Sequence, residues 1–429
     1  MARTVAFCTL GCKVNQYDAQ AMLEALERAG YQSVGFDAVA DVYVVNTCTV
    51  TGTGDQKSRQ MIRRAARKNP EAAIVVAGCM AQRAAREVAG MAGVRLVLGT
   101  QRRGEIAALL EKALAQTAPL IAVEALTTAY EDLPVSGSEG RTRATLKIQE
   151  GCQNHCAYCV IPSVRGPVRS RAPESVRQQA KRLAEAGFQE IVLTGIHLGS
   201  YGLDLDKGVS LIDAIRAAHE AEGVSRIRLG SLEPGAVTDT FVDALKALPK
   251  VCPQFMLALQ SGSDSVLARM GRRYDTAAYR RAVERLRAAY PDCALTTDVM
   301  TGFPGETEGE FSETLAFVRE MGFARIHVFP YSARAGTRAA QMPDQVPIPV
   351  REARAAALIE LGDSLAEAYA ARWVGRRAAV LFETARAGGA EGYTPEYLRV
   401  WADGQPGMLQ TVAIMEADGE GLRGKIIAE

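Results

Sequence analysis

Three closely spaced cysteines are the strongest chemical signal in the sequence. Cys152, Cys156 and Cys159 have C-x3-C-x2-C spacing and come directly after the strand-like run ATLKIQE. Thiolates at such spacing bind zinc or an iron–sulfur cluster, and a closed site of either kind normally uses four protein ligands. Three cysteines therefore predict a [4Fe–4S] cluster in which one iron remains open to a small ligand.

A zinc knuckle is the alternative for this loop, with His155 as the fourth ligand. His155 is adjacent to Cys156 in the sequence, which is an awkward position from which to reach the same metal. The spacing therefore favours the iron–sulfur interpretation.

A second set of cysteines is dispersed along the first 80 residues. Cys12, Cys48 and Cys79 each follow or end an apolar run, namely TVAFCTL, DVYVVNTC and AIVVAGC. If these runs are parallel strands, their carboxyl ends meet at one edge of an open sheet and bring the three thiols together. Three soft ligands there predict a second iron–sulfur cluster with a free iron, whereas three buried core cysteines are the alternative.

The remaining cysteines fit neither set. Cys8 lies inside its strand, where a core role or a role behind the ligands is expected. Cys252 and Cys293 precede later strands, at the end opposite the cysteine loop, and we assign them no chemistry.

The elements that position these cysteines fall into three regions. Strand–helix alternation over 1–125 predicts a doubly wound α/β domain, and Pro, Gly, Ser and Thr over Thr117–Arg143 indicate a linker. Six strand candidates, each followed by an amphipathic stretch, predict a parallel (β/α) barrel or partial barrel over 140–370. Over 372–429, apolar and polar residues alternate and Gly-rich turns interrupt the pattern, which predicts a small antiparallel β-barrel.

Composition excludes several classes of protein. The chain has 429 residues, 48% of them hydrophobic and 23% charged, which is typical of globular domains rather than of disorder. The net charge of +1 excludes a strongly basic coat protein but allows a local nucleic-acid surface. We see neither a secretion signal nor a membrane-length apolar run, so we expect a cytoplasmic protein whose nine cysteines bind metal rather than form disulfides.

The cysteine loop GCQNHCAYC resembles that of the radical S-adenosylmethionine enzymes. The resemblance implies that the open iron binds the amino and carboxylate groups of S-adenosylmethionine, which is cleaved to methionine and a 5′-deoxyadenosyl radical. Tyr158 occupies the aromatic position before the last cysteine, which in that family lies near the adenine; simple loop packing is the alternative.

The resemblance extends along essentially the whole chain. CTLGCKVNQYD, NTCTVTGTGDQKSRQ and GCMAQR look like the N-terminal domain of the radical methylthiotransferases, and LTGIHLGSYG, LQSGSD and DVMTGFPGETE are similar to their barrel. GYTPEYLRV resembles part of their C-terminal TRAM domain. TLGCKVN together with NTCTVTG looks like the branch that acts on threonylcarbamoyladenosine, at the purine next to the tRNA anticodon.

The family implies replacement of the hydrogen on carbon 2 of the modified adenine by a methylthio group. This reaction would use two [4Fe–4S] clusters and two molecules of S-adenosylmethionine. One molecule would methylate a sulfur on the N-terminal cluster, and the other would generate the radical. The implied partners are the tRNA anticodon loop and an electron donor such as flavodoxin or ferredoxin, without DNA or membrane. The alternatives are the isopentenyladenosine branch, the ribosomal-protein branch, and a non-catalytic iron–sulfur protein that binds RNA.

Further candidate contacts to the cofactor lie at the strand ends that form the barrel mouth. Glycine there allows close approach of a ligand, and Glu233 or Gln260 is suited to hydrogen-bond the ribose or the methionine part. A turn or core role is the alternative for each. Arg165, Arg169 and Arg171 are expected to reach substrate or cofactor. The six strand-end candidates are Gly195, Ser231, Glu233, Gln260, Asp298 and Gly302.

One predicted helix, QKSRQMIRRAARKNP, is rich in basic residues and is our candidate RNA contact. Arg59, Arg63 and Arg67 recur every four residues, so they share one face that suits phosphates. A solvated helix face is the alternative. The six basic residues are Lys57, Arg59, Arg63, Arg64, Arg67 and Lys68.

Overall fold

The computed structural model describes residues 3–137 and 142–427, which form three successive parts. The other residues, including 138–141 of the predicted linker, lie outside the described ranges. The strands of the first part are β1 (Thr4–Thr9), β2 (Gln32–Val34), β3 (Val42–Thr47), β4 (Ala73–Gly78), β5 (Val94–Leu98) and β6 (Leu120–Ala122). They form one parallel sheet in the order β2-β1-β3-β4-β5-β6.

Helices cover both faces of this sheet. They are α1 (Lys13–Arg28), α2 (Gly52–Lys68), α3 (Cys79–Arg83), α4 (Ala85–Ala89) and α5 (Ile106–Leu114). Apolar side chains of α1 and α5 pack on one face, and those of α2 and α4 pack on the other. Every residue of β3 and β4 is buried, which explains why these strands are continuous apolar runs rather than alternating ones. The prediction of a doubly wound α/β domain is confirmed.

The described part of the segment predicted as a linker is a packed connection. Its first residues include β6, the last strand of the sheet. The Tyr130 hydroxyl donates to the carbonyl of Lys147 at 2.8 Å, and the Tyr17 hydroxyl donates to the carbonyl of Leu133 at 2.5 Å. These contacts attach the connection to both the first and the second part.

The second part is a partial barrel. Its strands are β7 (Arg143–Lys147), β8 (Gln149–Glu150), β9 (Arg169–Ser170), β10 (Glu190–Thr194), β11 (Arg226–Leu229), β12 (Gln254–Met256), β13 (Ala294–Thr301) and β14 (Arg325–Pro330). Two parallel sheets, β7-β10-β11 and β12-β13-β14, are joined by parallel bridges such as that between Leu232 and Leu257. The two-residue strands β8 and β9 pair with each other, antiparallel. The six predicted barrel strands are confirmed.

Helices surround this barrel and enclose one continuous apolar core. They are α6 (Ile161–Arg165), α7 (Pro173–Glu185), α8 (Leu211–His219), α9 (Asp239–Lys246), α10 (Asp264–Met270), α11 (Thr276–Ala289), α12 (Glu308–Met321) and α13 (Ile348–Ala371). Short 3-10 turns occur at Arg103–Glu105, Leu198–Ser200, Pro234–Ala236 and Ala339–Gln341. No helix among the described residues combines the length and apolarity needed to cross a membrane.

The third part is a small closed barrel, as predicted. Its strands are β15 (Arg377–Arg386), β16 (Gly389–Tyr393), β17 (Arg399–Ala402), β18 (Leu409–Asp418) and β19 (Gly421–Ile426). They close in the order β15-β16-β17-β19-β18. One pair, β17 with β19, is parallel, so the barrel is not antiparallel throughout.

The small barrel covers the base of the partial barrel. Arg226 donates to the carbonyls of Tyr393 and Ala379 at 2.9 and 2.7 Å, and Arg228 donates to the carbonyl of Pro395 at 2.8 Å. Glu190 accepts from Nε of Arg228 at 2.7 Å and neutralises this buried guanidinium. The opposite end, at the carboxyl ends of the strands, is therefore the end available for a site.

Candidate active site

The loop with Cys152, Cys156 and Cys159, the barrel triad, is held at the mouth by backbone hydrogen bonds. Cys152 N donates to the carbonyl of Gly166 at 3.0 Å, and Cys159 N donates to the carbonyl of Cys156 at 3.0 Å. Ala157 is fixed through both its N–H, which donates to Met270 O at 2.7 Å, and its carbonyl. The loop is thus fixed in place by segments far away in the sequence.

The three thiols of the barrel triad lie close enough together to influence one another electrostatically. Burial, together with a smaller effect of the nearby thiols of Cys156 and Cys152, raises the pKa of Cys159 to about 12. Two donors face these sulfurs: Arg272 Nη1 lies 3.2 Å from Cys156 Sγ, and Ile161 N lies 3.4 Å from Cys159 Sγ. Mutually adjacent, half-buried thiols with hydrogen-bond donors fit a bound iron–sulfur cluster, whose iron compensates the thiolate charge.

The zinc alternative finds no support in this loop. Within residues 3–137 and 142–427, no three side chains of His, Cys, Asp or Glu are arranged as ligands of a single ion. His155 is exposed and has φ of +48°. Because each iron of a [4Fe–4S] cluster takes its own cysteine, a cluster does not need the thiols to converge on one point.

Glu233 is the centre of a polar network beside the barrel triad. It accepts hydrogen bonds from Asn154 Nδ2 at 3.0 Å, from Arg272 Nη2 at 2.7 Å and from His197 Nε2 at 3.0 Å. Burial opposes ionisation of Glu233, but the His197 hydrogen bond and the Arg272 charge outweigh it, so its pKa is lowered. Asn154, Arg272 and His197 were not identified from the sequence as parts of the site. Asn154 carried a signal in its position within the cysteine loop, and His197 carried one in its position at the end of a barrel strand, but a lone histidine is more often a packing residue than a catalyst.

Gln260 and Asp298 retain unused hydrogen-bonding capacity at the mouth. Gln260 has φ of +69°, and its Oε1 atom is buried without a partner among the described residues. The Gln260 backbone N–H donates to the carbonyl of Asp298 at 2.9 Å, which brings the two residues together. Burial raises the pKa of Asp298 to about 6. An orphaned buried oxygen is what a bound polar ligand would satisfy.

The predicted glycines Gly195 and Gly302 both lie close to side chains of the chain itself. A Cβ at Gly195 would lie 2.8 Å from Oε1 of Gln149, and one at Gly302, where φ is +68°, would lie 2.3 Å from Cγ of Arg351. Ser231 is exposed. The close approaches that require glycine are therefore to neighbouring side chains.

Tyr158 packs in an aromatic cluster. Its ring meets that of Phe303 edge to face with centroids 6.4 Å apart, and Phe303 in turn contacts Tyr331. Burial raises the pKa of the Tyr158 phenol. The loop-packing role is thus present, and contact with an adenine remains a prediction.

The strand-end triad, Cys12, Cys48 and Cys79, meets at one rim of the first sheet. Cys12 caps α1 after β1, Cys48 follows β3, and Cys79 begins α3 directly after β4. Gly11, with φ of +94°, lies so close to Cys48 that an added Cβ would be 2.9 Å from its Sγ. Burial, together with a smaller effect of the thiols of Cys12 and Cys48, raises the pKa of Cys79 to about 11. Three adjacent thiols on a rim again fit a cluster.

Cys8 lies apart from this triad. It sits within β1 beside Val45, and the charge nearest to it is that of Arg64 on α2. Cys252 and Cys293 are both buried. Cys252 has arginine neighbours, and Cys293 packs in the apolar core of the barrel.

The two triads are connected through a buried ionic cluster between the first sheet and the barrel mouth. Arg165 Nε donates to Cys79 Sγ at 3.3 Å, while its Nη1 pairs with Asp18 at 2.8 Å and with Glu150 at 2.5 Å. The same two carboxylates pair with Lys147 and Arg103. Burial opposes their ionisation, but the surrounding cations outweigh it and lower the pKa of both.

A second contact closes the opposite side of this interface. Arg334 Nη2 pairs with Asp55 Oδ2 at 2.5 Å and donates to Thr49 Oγ1 at 2.9 Å. Arg83 Nη2 donates to the carbonyl of Ala335 at 2.6 Å. Because Thr49 directly follows Cys48 and Asp55 lies in the first turn of α2, these contacts dock the strand-end triad over the barrel mouth.

The remaining predicted basic residues differ in burial and in partners. Arg169 donates to the carbonyl of Arg165 at 2.5 Å, and Arg171 pairs with Asp132 at 2.5 Å, so both are buried structural groups. On α2, Arg59 pairs with Glu87 and Arg64 pairs with Asp37. The exposed α2 residues without a carboxylate partner among the described residues are Lys57, Arg63, Arg67 and Lys68.

Comparisons with known proteins agree with this architecture. A model described as uncharacterized protein family UPF0004 matches residues 4–99, and the radical SAM superfamily model matches 146–318. The solved radical S-adenosylmethionine methyltransferase TsrM from Kitasatospora setae superposes with a TM-score of 0.58 at 15% identity, covering 79% of this chain and 74% of that one, which is a likeness of fold. The protein is a radical S-adenosylmethionine enzyme.

Curated relatives define the family more narrowly. The threonylcarbamoyladenosine tRNA methylthiotransferase MtaB of Bacillus subtilis is 44% identical over 95% of this chain and 92% of its own. The protein of the same name from Thermotoga maritima is 36% identical over 98% and 96%. A tRNA-2-methylthio-N(6)-dimethylallyladenosine synthase from Thermobifida fusca is 37% identical over 89% and 78%. The chain belongs to the threonylcarbamoyladenosine tRNA methylthiotransferase family.

We expect Gly151→Ala to prevent the barrel triad from holding iron. Gly151 has φ of +78°, and an added Cβ would lie 1.7 Å from the carbonyl oxygen of Pro167, a backbone atom that no rotamer change can move. Gly187→Ala is the matched control, because Gly187 has φ of +90° with open space around it. It carries only the left-handed penalty of about 1–2 kcal/mol. Iron analysis of the two purified variants checks this, and equal iron contents would contradict it.

Proposed function

We propose that this enzyme adds a methylthio group to carbon 2 of N6-threonylcarbamoyladenosine next to the anticodon of tRNA. The observation that carries the proposal is the meeting of two cysteine triads across one interface, with Arg165 touching Cys79 from directly behind the barrel triad. A single cluster would require only one triad. The 44% identity to the Bacillus subtilis relative supports the choice of nucleoside.

Each triad is proposed to hold one [4Fe–4S] cluster and to leave one iron open. S-adenosylmethionine at such an iron would, on reductive cleavage, supply the carbon radical that an unactivated C–H bond requires, since no side-chain base removes that hydrogen near neutral pH. Arg272 and Ile161 N orient the thiols of the barrel triad. Glu233 and Gln260 offer acceptors at the mouth for the polar groups of a bound cofactor.

The residue limits and partners follow from the same proposal. The auxiliary cluster belongs to a domain over 1–125, the radical chemistry to 140–370, and a TRAM domain covers 372–429. A second S-adenosylmethionine would supply the methyl group for the sulfur to be transferred, and a flavodoxin or ferredoxin in the cytoplasm would supply electrons. The target base is splayed out of the anticodon loop, as sequence-specific RNA sites commonly are.

Nucleoside analysis of tRNA tests the substrate. We expect a strain without this gene to lose the 2-methylthio form of threonylcarbamoyladenosine and to accumulate the form without sulfur, while methylthio-isopentenyladenosine stays unchanged. Complementation with Cys8→Ser should restore the modification, and Cys79→Ser should not. Loss of the isopentenyl derivative instead would assign the enzyme to that branch. An unchanged content of both methylthio nucleosides would contradict the tRNA assignment and favour a protein substrate.

Iron and sulfide analysis tests the two clusters. We expect about eight irons in the reconstituted wild type, since each [4Fe–4S] cluster carries four. Replacement of the whole barrel triad or of the whole strand-end triad by alanine should each remove about four. Cys8→Ser and Cys252→Ser are the controls that keep the wild-type iron content. A barrel-triad variant that retains all of its iron would refute the assignment.

The unpaired basic residues of α2 are the proposed tRNA contact. We expect Arg63→Ala with Arg67→Ala to weaken tRNA binding and to reduce the slope of log affinity against log salt by about 2, because two phosphate contacts are lost. Lys181→Ala with Lys207→Ala removes two exposed charges elsewhere and is the control. Equal losses for both pairs, measured by filter binding across a salt series, would show that the contact is not specific to α2.

A further inference from the structure

The five-residue helix α6 lies directly between the two triads. At its start, Ile161 N donates to Cys159 Sγ at 3.4 Å. At its end, Arg165 Nε donates to Cys79 Sγ at 3.3 Å. One short element thus hydrogen-bonds a sulfur of each triad, and Arg165 reaches across the interface from the barrel to the first sheet.

The Arg165 guanidinium is held in one orientation. The residue is fully buried, its Nη1 is paired with Asp18 and Glu150, and its Nη2 donates to the Asn15 side-chain oxygen. A planar guanidinium with both terminal nitrogens engaged has its Nε–H direction fixed. That fixed direction points at Cys79 Sγ.

The buried groups around Arg165 carry more positive than negative charge, which favours an anion next to them. Four buried cations, Arg103, Lys147, Arg165 and Arg169, surround only two equally buried carboxylates. The third carboxylate of the cluster, Glu131, is 21% exposed and pairs with Arg103 alone. The excess positive charge lies next to the rim where the thiolates of the strand-end triad gather.

We propose that Arg165 is a positioning residue that raises the reduction potential of the cluster on Cys12, Cys48 and Cys79. The inference rests on the proposed function, in which that triad holds a cluster. Reduction adds one negative charge, and a fixed hydrogen bond to a ligand sulfur together with a buried positive charge stabilises the reduced state more than the oxidised state. The potential of this cluster is therefore set by a residue that belongs to the barrel.

Arg272 provides an internal comparison. Its Nη1 donates to Cys156 Sγ at 3.2 Å. Arg272 thus donates to a sulfur of the barrel triad, just as Arg165 donates to a sulfur of the strand-end triad. It also pairs with Glu233 at 2.7 Å. Substitution of one arginine should affect one cluster and leave the other unchanged.

The test uses the full chain with the barrel triad replaced by alanine, so that only the strand-end cluster contributes to the signal. Into this background we would introduce Arg165→Lys, Arg165→Gln or Arg272→Lys and measure iron content and the midpoint potential by EPR-monitored redox titration. Arg165→Lys retains the charge but lacks the Nε–H, so it remains informative if Arg165→Gln does not fold.

We expect both Arg165 variants that fold to keep about four irons, as one [4Fe–4S] cluster requires, with a more negative midpoint potential. Arg272→Lys should leave the potential unchanged. An unshifted potential in iron-loaded Arg165→Lys, or an equal shift in Arg272→Lys, would overturn the inference. Absence of iron from the background protein with Arg165 intact would instead overturn the proposed function.

Discussion

The buried pairing of Asp18 and Glu150 with cations from both sides of one interface is the constraint on which the site depends. Removing such ions from water costs several kcal/mol each, and only close partners offset this cost. Asp18, on α1, and Arg103 belong to the first part, whereas Glu150, Lys147 and Arg165 belong to the barrel. Each of the two carboxylates pairs with cations of both parts. The two parts must therefore dock in one register. That register brings Cys79 within hydrogen-bond reach of a residue six positions after Cys159.

The position of the strand-end triad could be predicted because it follows from sheet geometry alone. Parallel strands end on one side, so cysteines at the ends of β1, β3 and β4 must lie together, and the contact between Gly11 and Cys48 bears this out. The arginines behind the sulfurs could not be predicted in the same way. Arg165 lies 86 residues from Cys79, and Arg272 lies 116 residues from Cys156. Such contacts depend on how whole domains pack, which no local spacing encodes.

The strand-end glycines show a second limit of sequence reasoning. Glycine indicates that something approaches the backbone closely, but not whether it is a ligand or the chain itself. At Gly195 and Gly302 the neighbours are Gln149 and Arg351. Gln260 is different, because its buried Oε1 lacks a partner among the described residues. A buried polar atom without a hydrogen-bond partner, which only the structure reveals, is therefore a better indicator of a cofactor site than a strand-end glycine.

The barrel is joined to its neighbours at both ends by buried arginines, but the two ends differ electrically. At the base, Arg228 is neutralised by Glu190 and otherwise meets backbone carbonyls and the ring of Tyr397, 4.7 Å away. Arg226, which is also buried, shares Glu190 with Arg228 at 3.6 Å and donates to two further carbonyls. At the mouth, cations exceed equally buried carboxylates, and Cys79 is the acceptor for Arg165. The arginines at the base thus donate mainly to backbone carbonyls, whereas Arg165 at the mouth donates to a sulfur of the proposed cluster, whose charge would change on reduction.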